Sequence, residues 1–209
     1  MGDYLIDKED GKIHTRYSEL SGCTPAGAIQ AVEMRTGQRV GIQTARMRFG
    51  EVLHDEYREE SERTAKFPRN IRRRWSDLRR VTVDMVEHEL AVEIYPGVVL
   101  HSRPDAICLG ARLIADYKTR VGTLREARML YKRSVQLKIY AYQMLLRGVQ
   151  LKEAQYLIER WSVNGEHRVA YDRVIQLLTL RDITGVEPWI EERCKNLIAA
   201  IRLHEQGKI

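Results

Sequence analysis

The chain has 209 residues, 44% of them apolar, with 35 Lys and Arg against 29 Asp and Glu and a net charge of +6. That is enough apolar material for a core that needs neither disulfides nor a structural metal, and the basic surplus favours a polyanionic partner. No run approaches the roughly 20 apolar residues of a membrane span, and the polar stretch Met1–Lys12 lacks the apolar run of a signal peptide. The three cysteines, Cys23, Cys108 and Cys194, are widely spaced with no CxxC pair. This argues against a zinc ribbon or a disulfide framework and predicts reduced thiols in a cytoplasmic protein.

The first predicted helix covers Pro25 to about Arg35, with Thr24 as cap, Pro25 at the first helical position and Gly37 as stop. A longer helix follows from about Thr44 to Ala65, turning Met47, Phe49, Leu53 and Tyr57 toward a core, and Phe67-Pro68 ends it. A basic segment then runs from Arg69 to Arg80. Beyond it the period changes to two: Val81, Val83 and Met85 alternate with polar residues, as do Leu90, Val92 and Ile94, giving one bulged strand or two consecutive ones. Pro96-Gly97 is a turn. Val98 to Ser102 and Asp105 to Leu109 read as a second strand interrupted near Pro104, and Leu113 to Lys118 as a third after the Gly110-Ala111 turn.

Helix returns at Thr123, where Thr123-Leu124-Arg125-Glu126 is a capping box, and its pattern covers most of the stretch to Leu146 before Gly148 stops it. Gln155 to Val163 and His167 to Asp172 flank Asn164-Gly165, a strong hairpin signal. A last helix from Pro188 to about Glu205 places Ile190, Cys194, Leu197, Ile198 and Ile201 on one face. The fold class is α+β. The chain reads as one domain, with a helical, basic part (1–80), a core (81–172) and a C-terminal helical part (173–209).

The chemistry concentrates in Arg103-Pro104-Asp105 and Asp116-Tyr117-Lys118. Residues i and i+2 of a strand share a face, so Asp116 and Lys118 point one way and Tyr117 the other. Pairing of their strands across Gly110-Ala111 would bring Asp105 near Asp116. Carboxylates suit Mg2+ or Mn2+, which can activate water against a phosphodiester, and an adjacent lysine can orient that water and offset transition-state charge. The Tyr117 backbone carbonyl is a further candidate oxygen ligand. An isolated DxK triplet is more often a solvated ion pair at a strand edge, so its surroundings decide.

Four features come in order: Gly50-Glu51-Val52-Leu53-His54 on a helix, Arg103-Pro104-Asp105 after a strand that contains Glu87 and Glu89, Ile114-Ala115-Asp116-Tyr117-Lys118-Thr119, and Gln136-Leu137-Lys138-Ile139-Tyr140 on the next helix. This series resembles the RecB-like branch of the PD-(D/E)XK nuclease superfamily, which includes nuclease domains of bacterial recombination helicase-nucleases, CRISPR-associated RecB-like exonucleases and some viral exonucleases. The match covers Gly50 to Tyr140. The resemblance implies a restriction-endonuclease-like core, a central mixed sheet flanked by helices. It implies that His54 is a metal ligand, that Asp105 is the acid of the "PD" pair, that Asp116 is the variable acid and that Lys118 is the lysine. It implies that Thr119 is a frequent follower and that Gln136 and Tyr140 form a motif that orients the lysine or contacts DNA. The implied cofactor is Mg2+ or Mn2+, toward Mn2+ because of the histidine. Glu87 or Glu89 could support the site, against the plain reading of alternating strand charges.

Many CRISPR-associated members bind an iron–sulfur cluster through four cysteines. Three cysteines, with only Cys194 late, cannot complete that set, so no complete cluster is expected.

Arg72, Arg73, Arg74 and Trp75 suit phosphate and base contacts, with Arg120 as a further candidate; the bland alternative is a solvated face. No base-reading motif is visible. The sequence therefore predicts a metal-dependent deoxyribonuclease, an exonuclease with little sequence preference, acting on single-stranded or end-containing DNA in recombination or repair. An inactive DNA-binding or assembly subunit and a PD-(D/E)XK endonuclease are the alternatives. Self-association and recombination or defence proteins are the protein partners left open.

Overall fold

A computed structural model describes residues 6–7, 9–36, 45–121, 123–162 and 168–208. The elements are β1 (Ile13–Arg16), α1 (Tyr17–Gly22), α2 (Pro25–Arg35), α3 (Ala45–Thr64) and α4 (Arg69–Arg74), then a 3-10 turn at Ser76–Arg79. β2 (Met85–Val86), β3 (Leu90–Tyr95), β4 (Val98–Ser102), β5 (Ala106–Cys108) and β6 (Leu113–Val121) follow. The chain continues through α5 (Leu124–Arg133), α6 (Gln136–Leu146), β7 (Glu153–Trp161), β8 (Arg168–Leu177), α7 (Leu180–Thr184) and α8 (Glu187–Glu205). Among the described residues no helix is long and apolar enough to cross a membrane.

The contacts divide the chain into two compact units, Met1–Ile42 with Glu89–Ser102 and Gly185–Ile209, and Gln43–His88 with Arg103–Thr184. In the first, a three-stranded sheet runs in the order β1-β4-β3, with β1 parallel to β4 and β3 antiparallel to it. Its helices α1, α2 and α8 bury Leu20, Ala28, Val32, Ile190, Cys194, Leu197 and Ile201. Thr24 caps α2 by accepting the N–H of Gly27 at 3.1 Å, and Asn196 donates to the Cys23 carbonyl at 2.9 Å. Ile198, expected on the apolar face of α8, is half-buried.

The second unit holds a five-stranded mixed sheet, β2-β5-β6-β7-β8, in which only β6 and β7 are parallel. A parallel pair needs a crossover, and α5 and α6 supply it. Thr123 and Glu126 close the capping box of α5, while the helical stretch breaks at Ser134-Val135 to start α6. On one face, Tyr57 of α3 and Ile71 of α4 pack with Phe67, Leu78, Ala115, Tyr117 and Leu157. On the other, Tyr131 of α5 stacks on Tyr156 of β7 at 4.8 Å, and the Tyr156 hydroxyl accepts the N–H of Leu137 at the start of α6. The result is a restriction-endonuclease-like layering of helices on a mixed sheet.

Some strand readings need correction. Stretch 98–109 is not one interrupted strand: β4 and β5 belong to different sheets. Pro104 offers no N–H to a ladder, so the pairing ends there. Of the two readings of 81–94, two consecutive strands is the one found: Met85–Val86 pairs with β5 and Leu90–Tyr95 with β4, and between them Glu87 adopts φ +42°. β1 and α1 carry too few apolar residues to stand out in sequence. β8 continues beyond Asp172 to Leu177. Gly37, the side chains of Met47 and Phe49, and the Asn164-Gly165 turn lie outside the described residues.

Candidate active site

The ladder between β5 and β6 sets the site. Ala106 pairs with Ala115 across it, so the residues just outside that pair, Asp105 and Asp116, come opposite one another. Both carboxylates are buried, at 5% and 4% exposure. Asp105 Oδ2 accepts the backbone N–H of Tyr117, which ties it to β6. Its Oδ1 lies 3.1 Å from His54 Nδ1.

His54 arrives on α3. Gly50, one turn earlier, lets that helix lie close on β6: a Cβ there would stand 3.2 Å from the Thr119 hydroxyl. Tyr117 points into the core on this side, edge-on to Tyr57 at 5.1 Å and to His54 at 6.2 Å. Asp116 and Lys118 point to the opposite side of the strand, where the Lys118 ammonium forms an ion pair with Asp116. Gln136 opens α6 and donates to the Tyr140 hydroxyl at 2.8 Å.

The electrostatics follow from burial among like charges. Burial pushes the Asp116 carboxyl up to about 6, against the pull of Lys118, and the neighbouring Asp105 adds to the rise. Burial disfavours charge on Lys118, but the Asp116 and Asp105 carboxylates outweigh it and hold the ammonium above its ordinary value. Burial also disfavours charge on His54. The Asp105 hydrogen bond and the Asp105 and Asp116 charges prevail and raise it to about 9. Tyr140 is raised by burial first and then by Asp116, which places its phenol beside the same carboxylates.

One residue stands out that the sequence left level with its neighbour. His54, Glu87 and Asp105 offer ligand atoms that all lie within 4.8 Å of one another. Ligands on opposite sides of a six-coordinate ion with bonds near 2.1 Å are separated by about 4.2 Å, so a small contraction closes this group on Mg2+ or Mn2+. The donors are two hard carboxylates and an imidazole, a set those ions accept. Glu87 is held by its N–H to the Asp105 carbonyl at 3.2 Å and by Arg103 and Arg58 at 2.9 and 3.5 Å. Glu89 instead faces His101 at 2.8 Å, in the other unit. The sequence offered either glutamate as support for the site; the positive φ of Glu87, in the break between β2 and β3, separates them.

The basic residues divide as well. Arg72 donates to the Phe67 carbonyl and reaches Glu60 at 3.4 Å, so it braces α3 against α4. Trp75 packs against the core, with Arg173 over its ring and Tyr171 edge-on. Arg120 donates to the Tyr131 hydroxyl at 2.8 Å. Arg69, Arg73 and Arg74 line a cavity of about 630 Å³ together with Asn70, Arg168 and Tyr171. Arg69 belongs to the basic segment read from sequence, whereas Asn70 and Arg168 were not singled out as contacts.

Opposed acids at the β5 edge and on β6, with a lysine two residues beyond the second, form a carboxylate site of the class that can hold a hard divalent cation. The sequence profile of the PD-(D/E)XK nuclease superfamily matches residues 14–206, and the chain belongs to that superfamily. No curated protein matches it by sequence. Among solved structures, a phage-related exonuclease from Haemophilus somnus 129PT is similar at TM-score 0.56 and 11% identity, over 93% of this chain and 97% of that one. An alkaline exonuclease from Laribacter hongkongensis is similar at TM-score 0.53 and 11% identity, over 93% and 92% of the two chains.

Proposed function

We propose that the protein is a metal-dependent exodeoxyribonuclease with little sequence preference. The observation that carries this reading is the meeting of His54, Asp105, Asp116 and Lys118 from α3, the β5 edge and β6. The names of the two similar structures, both exonucleases, support the choice of exonuclease.

His54 and Asp105 hold the divalent cation, with Glu87, Asp116 and the Tyr117 carbonyl as the further oxygen donors. When bound, that cation supplies Lewis acidity to the scissile phosphate and a more acidic water. Asp105 is pre-oriented by the Tyr117 N–H, which limits the reorganisation that this carboxylate undergoes. Lys118, restrained by Asp116, directs its ammonium at the attacking water and at the charge that grows on the phosphoryl oxygens. Gln136 and Tyr140 form the wall from which α6 positions Lys118 or a DNA phosphate. Arg69, Arg73, Arg74 and Arg168 provide phosphate contacts for a strand, with Arg120 as a second point of contact.

The test is degradation of end-labelled linear DNA, single- and double-stranded, beside closed circles, with Mg2+, Mn2+ or EDTA. Metal-dependent loss of linear DNA alone is expected. Discrete nicking of circles would replace the exonuclease by an endonuclease. DNA binding without cleavage under any metal would leave an inactive DNA-binding subunit.

A further inference from the structure

In the unit that contains β1, β3 and β4, four side chains stand in single file. Asp10 Oδ2 lies 3.1 Å from His14 Nε2, His14 Nδ1 lies 2.7 Å from His101 Nε2, and His101 Nδ1 lies 2.8 Å from Glu89 Oε1. The backbone sets this order. His14 pairs with Val99 and Arg16 with His101 on the parallel strands β1 and β4, so the two rings meet diagonally across the ladder. Their centroids are 5.0 Å apart with planes tilted by 40°. Asp10 is fixed from behind, since its Oδ1 accepts the N–H of Lys12 at 2.9 Å and Gly11, at φ +68°, closes the turn. Solvent still reaches both rings, which are 35% and 27% exposed.

The positions of the protons make the pair unusual. A neutral imidazole has one N–H. With each ring donating that N–H to the carboxylate behind it, the two inner nitrogens face each other as lone pairs at 2.7 Å. That contact is repulsive unless a proton or a cation lies between them. A carboxylate behind each ring is also the arrangement that fixes the tautomer and orientation of metal-ligating histidines.

We propose that His14 Nδ1 and His101 Nε2 bind a borderline-soft divalent transition metal, of which Zn2+ is the representative. Asp10 and Glu89 orient the two ligand rings, and water completes the coordination. Imidazole nitrogens at about 2.0–2.1 Å from a tetrahedral ion are about 3.3 Å apart, so the rings need part by only about half an ångström. The ion staples β1 to β4. Its two imidazole ligands distinguish it from the oxygen-rich catalytic group, and the proposal does not depend on nuclease activity.

Equilibrium dialysis of the full chain against Zn2+ tests this. Wild type is expected to retain one equivalent more than either His14→Gln or His101→Gln, with both variants keeping their Mg2+-dependent nuclease activity. Asp10→Asn and Glu89→Gln, which leave both ligands in place, should weaken that equivalent by about 10- to 100-fold. Independently of any variant, Co2+ added to wild type should broaden the imidazole proton resonances of His14 and His101. Equal zinc stoichiometry in wild type and both histidine variants, or imidazole resonances untouched by Co2+, would overturn the site and leave the rings sharing only a proton.

Discussion

The carboxylate of Asp105 accepts the backbone N–H of Tyr117, so one of its oxygens belongs to the fold and the other to the chemistry. The two roles separate by mutation. Asp105→Asn keeps an acceptor for Tyr117 and removes the charge. Asp105→Ala also strands a buried N–H, at a cost of about 1–3 kcal/mol. Both variants should lose DNA degradation, while only the alanine variant should show a clear drop in its urea midpoint. A fully active Asp105→Asn would remove this carboxylate from the metal site.

Lys118→Met keeps the aliphatic stem and deletes the charge. If the ammonium acts on the transition state, kcat should fall by about 10²–10³ while DNA binding is retained. The same change leaves Asp116 buried without its cation, and breaking such a pair costs about 3–5 kcal/mol. Activity must therefore be compared at a temperature where circular dichroism reports both proteins folded. A loss of DNA affinity with unchanged kcat would assign Lys118 to binding instead.

Glu87 and Glu89 provide a matched pair. Glu87→Gln should weaken Mn2+ binding, read by isothermal titration, and raise the Mn2+ concentration needed for half-maximal cleavage. Glu89→Gln should do neither, because its carboxylate faces His101 rather than Asp105. Equal effects of the two substitutions would mean that surface charge, not ligation, is being measured.

Much of this site was legible because its signals are local or fixed by simple ladders. Asp116 and Lys118 share a face by the period of a strand, Asp105 reaches Asp116 because Ala106 pairs with Ala115, and the Thr123–Glu126 capping box announces α5. The resemblance carried His54, which is 51 residues from Asp105 in sequence and has no local mark. What escaped was set by long-range pairing. The apolar stretches on either side of Pro104 have the same alternation, yet β4 pairs with β1 and β3 while β5 pairs with β2 and β6. Hydrophobic period says that a strand exists and is silent on its neighbour. Glu87 depends on a backbone conformation that glutamate rarely adopts, which tertiary contacts impose.

The basic segment makes a divided prediction. Arg73→Ala with Arg74→Ala should weaken DNA binding across all sequences. It should reduce the slope of log K against log salt by about 1 for each phosphate that is no longer neutralised. Arg72→Ala should change that slope little and instead lower thermal stability, since Arg72 is bound to the Phe67 carbonyl and Glu60. Filter binding over a salt series, beside melting curves, distinguishes the two. A salt slope reduced by Arg72→Ala and unchanged by the double variant would reverse the assignment.

Glu159 supplies a stability prediction away from the metal ligands. It is 1% exposed on β7, where it accepts the Tyr57 hydroxyl and the Asn70 amide and faces Arg168 at 3.1 Å. Burial raises its carboxyl above the ordinary value, although the Tyr57 hydrogen bond and the Arg168 charge both pull it down. A raised pKa means that the folded state holds the proton more tightly than the unfolded state, whose value is about 4.3. The stability this group contributes is thus full below the unfolded value and is lost as pH rises through the folded one. Glu159→Gln keeps an acceptor for Tyr57 and Asn70 and cannot titrate. Its urea midpoint should therefore gain on wild type as pH rises from about 4.3 through the raised value of the folded carboxyl, and the gain should level off above it. If wild type gains instead, the Arg168 ion pair outweighs burial, and Glu159 holds its charge because the fold favours it there.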